Sequence, residues 1–92
     1  MAATGERFWV CGGAVVDGID AASQEVVWHW DAEVAEDLSV EQRGWFASID
    51  EVKPAQWRGE AVLLVTASAL GGAAVVRRID RRVLWVERAP DA

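Results

Sequence analysis

The side chains best able to do chemistry in this sequence are its one cysteine, Cys11, and its one histidine, His29. They could form a nucleophile and a general base, and they are the two soft or borderline metal ligands of the chain. No motif of a cysteine enzyme surrounds either residue, and a single histidine excludes a metal site built on a histidine pair. We therefore expect no catalytic and no metal site, with Cys11 packed in a strand and His29 dispensable.

Glycine pairs and carboxylate pairs are the next candidates. Gly12-Gly13 and Gly71-Gly72 lack both the G-x-G-x-x-G pattern and the Lys-Ser or Lys-Thr of a phosphate loop, so we interpret them as turns or bulges. Glu36-Asp37 and Asp50-Glu51 could supply a general acid and base, but nothing fixes them on facing elements. Blocks of charge usually face solvent. We expect no cofactor and a protein that is not an enzyme.

The six tryptophans could stack on a sugar, a base or the apolar surface of a partner. Trp28 and Trp85 stand at equivalent places in two similar segments, so we expect both to be packing residues. No motif supports a carbohydrate ligand, which stays an open alternative. The side chains that we expect at an interaction surface are Phe8, Trp9, Val10, Trp30, Trp45 and Trp57.

Charge is distributed unevenly along the 92 residues, whose formal net charge is −6. Residues 1–51 hold 11 acids and 2 bases, whereas residues 52–92 hold 4 acids and 7 bases, so the two halves should attract each other. An acidic protein lacks the basic face that nucleic acid requires. We expect no nucleic-acid partner.

Length and apolar content predict one globular domain over residues 1–92. The longest apolar run, Ala61 to Val65, is far shorter than a membrane span, so we expect no membrane association. The segment Met1 to Arg7 is polar and shows no export signal, and the single cysteine excludes an intrachain disulfide. We expect a cytoplasmic protein.

An approximate internal repeat organises the chain. One copy reads G-G-A-V-V-D-G-I-D-A-A-S-Q-E-V-V-W from Gly12 to Trp28, and the other reads G-G-A-A-V-V-R-R-I-D-R-R-V-L-W from Gly71 to Trp85. Each begins at Gly-Gly, turns at Ile-Asp and ends a second strand on Trp. The repeat predicts blade-like units at 7–30 and 51–88, separated by a helical insertion at 31–49.

Local signals add detail to these units. Ser39 and Gln42 have the spacing of a capping box, which predicts a short helix near 40–47. Pro54 cannot donate to a ladder, so the strand at 51–57 should be an edge or irregular strand. The run 61–67 is apolar on both faces, and we expect Leu64→Ala to cost about 2 to 5 kcal/mol. The fold predicted is mainly β, with two packed antiparallel sheets of three to four strands and a short helical insertion.

The second half, V-K-P-A-Q-W-R-G-E-A-V-L-L-V-T-A-S-A-L-G-G-A-A-V-V-R-R-I-D-R-R-V-L-W, looks like one four-stranded blade of a bacterial β-propeller of poorly characterised function. The first half resembles the last three strands of another blade. The resemblance implies strands at 51–57, 60–68, 72–79 and 82–88, preceded by strands at 7–13, 14–20 and 25–30. Propellers close with about four to eight blades and this chain holds fewer than two, so the resemblance implies a partial propeller.

Three hypotheses for function follow. The first is a non-catalytic protein-interaction module that associates with itself or with a protein partner. The second is a small acidic inhibitor or immunity-type protein whose insertion 31–51 masks a basic site on an enzyme. The third, ranked last, is a hydrolase or other enzyme whose residues would converge from separate chains. A further possibility is a truncated gene product with no independent function. The strand at 7–13 would have an unpaired edge that recruits another strand, and we expect Val10→Pro to remove a donor there.

Overall fold

The computed structural model describes residues 7–88. The segments 1–6 and 89–92 lie outside the described residues, and with them most of the polar segment on which the export expectation rests. The described chain is mainly β, with two antiparallel sheets and one short α-helix, which confirms the predicted fold class. Within residues 7–88, no helix has the length and apolar character needed to cross a membrane.

The N-terminal sheet contains three strands in the order β1-β2-β3. Gly13 adopts a positive φ of 57° in the two-residue turn between β1 and β2, a conformation that glycine accepts without strain. A β-bulge interrupts the pairing of β2 with β3 after Gly18. The bounds are β1 Arg7–Gly12, β2 Val15–Asp20 and β3 Val26–Asp31.

The C-terminal sheet contains four strands in the order β4-β5-β6-β7. Pro54 lies in β4, which is an edge strand, as its missing donor predicts. A β-bulge interrupts the pairing of β6 with β7 after Val75. The bounds are β4 Glu51–Trp57, β5 Glu60–Ala67, β6 Gly72–Arg77 and β7 Val83–Arg88.

The insertion between the sheets holds a 3₁₀ turn, Ala32–Val34, and the helix α1, Val40–Trp45. Ser39 is the N-cap of α1: its hydroxyl accepts from Gln42 N, and the Gln42 side chain accepts from Ser39 N. The predicted capping box is therefore confirmed. Phe46, just after α1, is fully buried and attaches the insertion to the core.

The core lies between the inner faces of the two sheets. The N-terminal sheet contributes Val16, Trp28 and Trp30, and the C-terminal sheet contributes Leu63, Val65 and Val76. Leu64 lies on the opposite face of β5 from Leu63, as the alternation predicts, but it is 39% exposed. The expected core cost of Leu64→Ala therefore belongs to Leu63.

Candidate interaction surface

Three of the six predicted interaction residues lie on β1, but on two different faces. Phe8 and Val10 point to the outer face of the N-terminal sheet and are 60% and 45% exposed. Trp9 is half-buried on the inner face, where its ring lies 5.5 Å from that of Trp28 in a T-shaped pair and 4.9 Å from the Arg78 guanidinium. Only Phe8 and Val10 of these three offer a largely accessible side chain.

The other three predicted residues do not form one patch with β1. Trp30 is buried and packs edge-on against Phe46, so its ring is not accessible to a partner. Trp45 is half-buried against the core at the end of α1. Trp57 is half-buried at the end of β4, with the Arg58 guanidinium 5.5 Å from its ring.

The free edge of β1 is defined by which backbone groups point away from β2. Gly12 pairs with Val15 across the two-residue turn, and hydrogen-bonded pairs alternate along an antiparallel ladder. The N–H of Val10 therefore points to β2, whereas those of Trp9 and Cys11 point to the free edge. Val10→Pro would break the internal ladder, so the sequence-based choice of that substitution as an edge test is wrong.

The other three sheet edges each carry a blocking feature within residues 7–88. By the same alternation, the backbone nitrogen of Pro54 points to the free edge of β4. This nitrogen carries no hydrogen and cannot donate to an added strand. Arg81 Nε donates to the His29 carbonyl at the edge of β3 over 2.7 Å. Asp37 accepts from Val83 N at the start of β7 over 2.9 Å. Proline and charged side chains are the usual means of blunting an edge. In the described part of β1 the charged residue is Arg7, at its start, and the stretch from Phe8 to Gly12 has neither feature.

Strands β1 to β3 and strands β5 to β7 have a bulge at the same place in their pairing. In the N-terminal sheet the bulge follows the pair Gly18 and Trp28, and in the C-terminal sheet it follows the pair Val75 and Trp85. The hairpins beyond these bulges also match, because Gln24 and Arg81 both adopt a positive φ near 62°. Asp20 and Arg77 each make the same two backbone hydrogen bonds across those hairpins.

Equivalence of position does not bring equivalence of burial. Trp28 is 4% exposed, whereas Trp85 is 40% exposed on the outer face of the C-terminal sheet. Of the two expected packing residues, Trp28 is therefore buried in the core, whereas Trp85 lies on the surface with its ring partly accessible. One row crosses that outer face through all four strands and consists of Lys53, Leu64, Val75 and Trp85.

The reactive side chains do not meet. His29 Nδ1 lies 2.6 Å from Asp17 Oδ1 on the outer face of the N-terminal sheet, and this side-chain pair is partly exposed. Cys11 lies on the inner face, where burial and then the Asp50 charge raise the pKa of its thiol. A sheet separates Cys11 from His29, so they do not form a nucleophile and base.

A groove of about 370 Å³ runs between the insertion and the β6–β7 hairpin. Three of its carboxylates serve the fold: Asp37 accepts from Val83 N, Asp31 accepts from Glu33 N, and Asp80 accepts from Arg77. Residues 7–88 hold no cluster of three or more side chains able to ligate a metal ion. The groove is therefore a region where the insertion packs against the hairpin.

Arg77 and Asp80 form the strongest ion pair of this hairpin. Arg77 Nη2 donates to Asp80 Oδ2 over 2.8 Å, and Arg77 Nε donates to Asp80 Oδ1 over 3.0 Å. These bonds lower the pKa of Asp80 to about 2 and raise that of Arg77. Arg82 N also donates to Asp80 Oδ1, so the pair fixes the turn between β6 and β7.

Sequence reasoning missed the Asp17–His29 pair and the exposure of Trp85. The first required the register of β2 with β3, which the bulge obscures. The second required knowing which face of the C-terminal sheet is covered. Comparison of the chain with protein-family models, with curated proteins and with solved structures gives no match.

Proposed function

We propose that this chain is a non-catalytic interaction module, built as a partial propeller, that associates with itself. The observation that carries the proposal is the exposure of large apolar side chains on the outer faces of both sheets. Phe8, Val10 and Val26 are exposed on one outer face, and Leu64 and Trp85 on the other. Contiguous exposed apolar groups of this kind mark interaction surfaces.

The placement of the polar groups supports a non-catalytic role. Cys11 and His29 lie on opposite faces of the same sheet, and three groove carboxylates, those of Asp31, Asp37 and Asp80, are engaged in hydrogen bonds within the fold. A general base needs a substrate proton within hydrogen-bond reach and a partner that acts on the same reacting group. The described residues bring no such set together.

The acidic-inhibitor alternative receives less support from the geometry. Acidic steering of a basic partner requires an accessible acidic surface. In this chain the insertion residues Glu36 and Asp37 share a groove with Arg81 and Arg82 of the same chain. Part of the acidic insertion therefore lies beside basic side chains of its own chain, which weakens the case for a basic partner at this place.

Sedimentation velocity of the purified chain over about a hundredfold range of concentration tests the proposal, since mass action shifts a self-association equilibrium. We expect one defined oligomer that dissociates on dilution. A monomer at every concentration would contradict the proposal, and a polydisperse aggregate would favour the truncated-product hypothesis. A glycan screen on the oligomer tests the carbohydrate alternative. A negative result would remove that alternative and leave self-association as the proposed function.

A further inference from the structure

The contact between the sheets within one chain joins two different kinds of face. The C-terminal sheet contributes the row Leu63, Val76 and Val83 to the core. The N-terminal sheet contributes the row Trp9, Gly18 and Trp28. The shared bulge position makes these rows comparable between the sheets.

The outer face of each sheet carries a row that corresponds to the inner row of the other sheet. On its outer face, the N-terminal sheet has Phe8, Ile19 and Val26 at the positions that correspond to Leu63, Val76 and Val83 of the C-terminal sheet. On its outer face, the C-terminal sheet has Leu64, Val75 and Trp85 at the positions that correspond to Trp9, Gly18 and Trp28 of the N-terminal sheet. The two outer faces are therefore the counterparts of two surfaces that already pack together inside the chain.

The hairpin contacts that accompany this packing also have counterparts. Trp28 Nε1 donates to the Arg78 carbonyl over 2.7 Å, and Arg81 Nε donates to the His29 carbonyl. In the equivalent hairpin of the N-terminal sheet, Ala21 supplies a carbonyl at the Arg78 position. Gln24, which shares the positive φ of Arg81, supplies an amide donor.

We infer that a second copy of this chain lays the outer face of its N-terminal sheet on the outer face of the C-terminal sheet of the first, head to tail. This inference rests on the proposed self-association and names its surfaces. Ala21 of the second copy then accepts from the Trp85 indole N–H, and Gln24 donates to the Val86 carbonyl. The contact is heterologous, and the defined oligomer that we expect requires repeated copies to close into a ring.

The polar pair on the docking face is compatible with burial. Asp17 and His29 lie in the row that corresponds to Ala74 and Val86 of the core. A buried polar group is tolerated when its hydrogen-bond partner is buried with it, and these two side chains already hydrogen-bond each other. The pair distinguishes this face from the inner face of the C-terminal sheet.

Two surface variants test the inference. Val26→Arg places a cation on the outer face of the N-terminal sheet, and Leu64→Arg places one on the outer face of the C-terminal sheet. Matched controls are Val40→Arg and Leu70→Arg, because Val40 and Leu70 are also exposed but lie on neither face. Circular dichroism checks that all four variants fold.

Sedimentation of each variant, alone and mixed, gives the decisive result. We expect each face variant to lose at least about tenfold in association, because docking would bury an unpaired guanidinium. Mixed in equal amounts, they should form a dimer, since each keeps the face that the other lost. The controls should assemble like the wild type.

The failures of the two proposals are distinguishable. A monomeric wild type overturns self-association itself. A wild type that assembles while both face variants assemble equally well, or while the mixture stays monomeric, overturns the head-to-tail contact and leaves self-association standing. Pairing through the free edge of β1 would give the former result, because Val26 and Leu64 lie on other strands.

Discussion

The N-terminal and C-terminal sheets of this chain share the position of a bulge and a hairpin geometry, but the tryptophans at their matching positions differ in burial. Trp28 is covered by the C-terminal sheet and its hairpin, whereas Trp85, at the matching place, meets solvent. The row beside each tryptophan differs accordingly, with Trp9 and Gly18 in one sheet and Leu64 and Val75 in the other. Strand patterning thus specifies each sheet, while burial depends on which neighbour covers it.

Alanine substitution of the two matching tryptophans should give the largest contrast. Trp28→Ala removes a buried ring and leaves a cavity, which costs about 3 to 5 kcal/mol. Trp85→Ala removes a partly exposed ring and leaves no closed cavity, so we expect about half that loss or less. Urea denaturation of dilute protein measures both. Equal losses would show that the sheets are covered alike.

Gly18 and Val75 offer a second contrast, because they are equivalent and differ by a whole side chain. A Cβ added at Gly18 would lie 2.7 Å from Trp9 Cζ3 and 3.1 Å from Trp28 Cβ. We expect Gly18→Ala to cost about 1 to 3 kcal/mol from overpacking.

A second substitution, Trp9→Leu, tests this explanation when it is combined with Gly18→Ala. Leucine is chosen because Leu64 is at the position of the C-terminal sheet that corresponds to Trp9. In that background the cost of Gly18→Ala should fall markedly, which a double-mutant cycle of unfolding free energies measures. An unchanged cost would mean that the Trp9 ring does not exclude the side chain.

Local sequence signals predicted much of this fold correctly. Ser39 and Gln42 predicted the helix start, and Pro54 predicted an edge strand, because both act through their own backbone or that of near neighbours. The exposure of Leu64 was not predictable, since alternation assigns two faces without saying which is covered. The contact of Arg81 with His29 joins residues 52 positions apart and carries no local signal.

Acid should weaken the ion pair of the β6–β7 hairpin, which is the smallest expected effect. The Arg77 hydrogen bonds depress the pKa of Asp80 to about 2, below its ordinary value near 4. A depressed carboxyl pKa stabilises the fold above the unfolded value, and this contribution disappears as pH falls through the folded one. Asp80→Asn should therefore lower stability at neutral pH.

That loss should shrink between about pH 4 and about pH 2, where wild-type Asp80 also becomes neutral. Thermal unfolding at stepped pH measures the difference between variant and wild type. Glu87→Gln on β7 is the control, because it removes a carboxylate outside this ion pair. A difference that stays constant down to pH 2 would exclude a role for the Asp80 charge.

The central claim is that the two outer faces are counterparts that dock between copies. Backbone amide chemical shifts of the chain, recorded by NMR from dilute to concentrated solution, test it directly. The account predicts that amides around Phe8, Ile19 and Val26 shift together with those around Leu64 and Trp85, while those of Val40 and Ile79 stay constant. Shifts confined to one sheet, or none at any concentration, would contradict it.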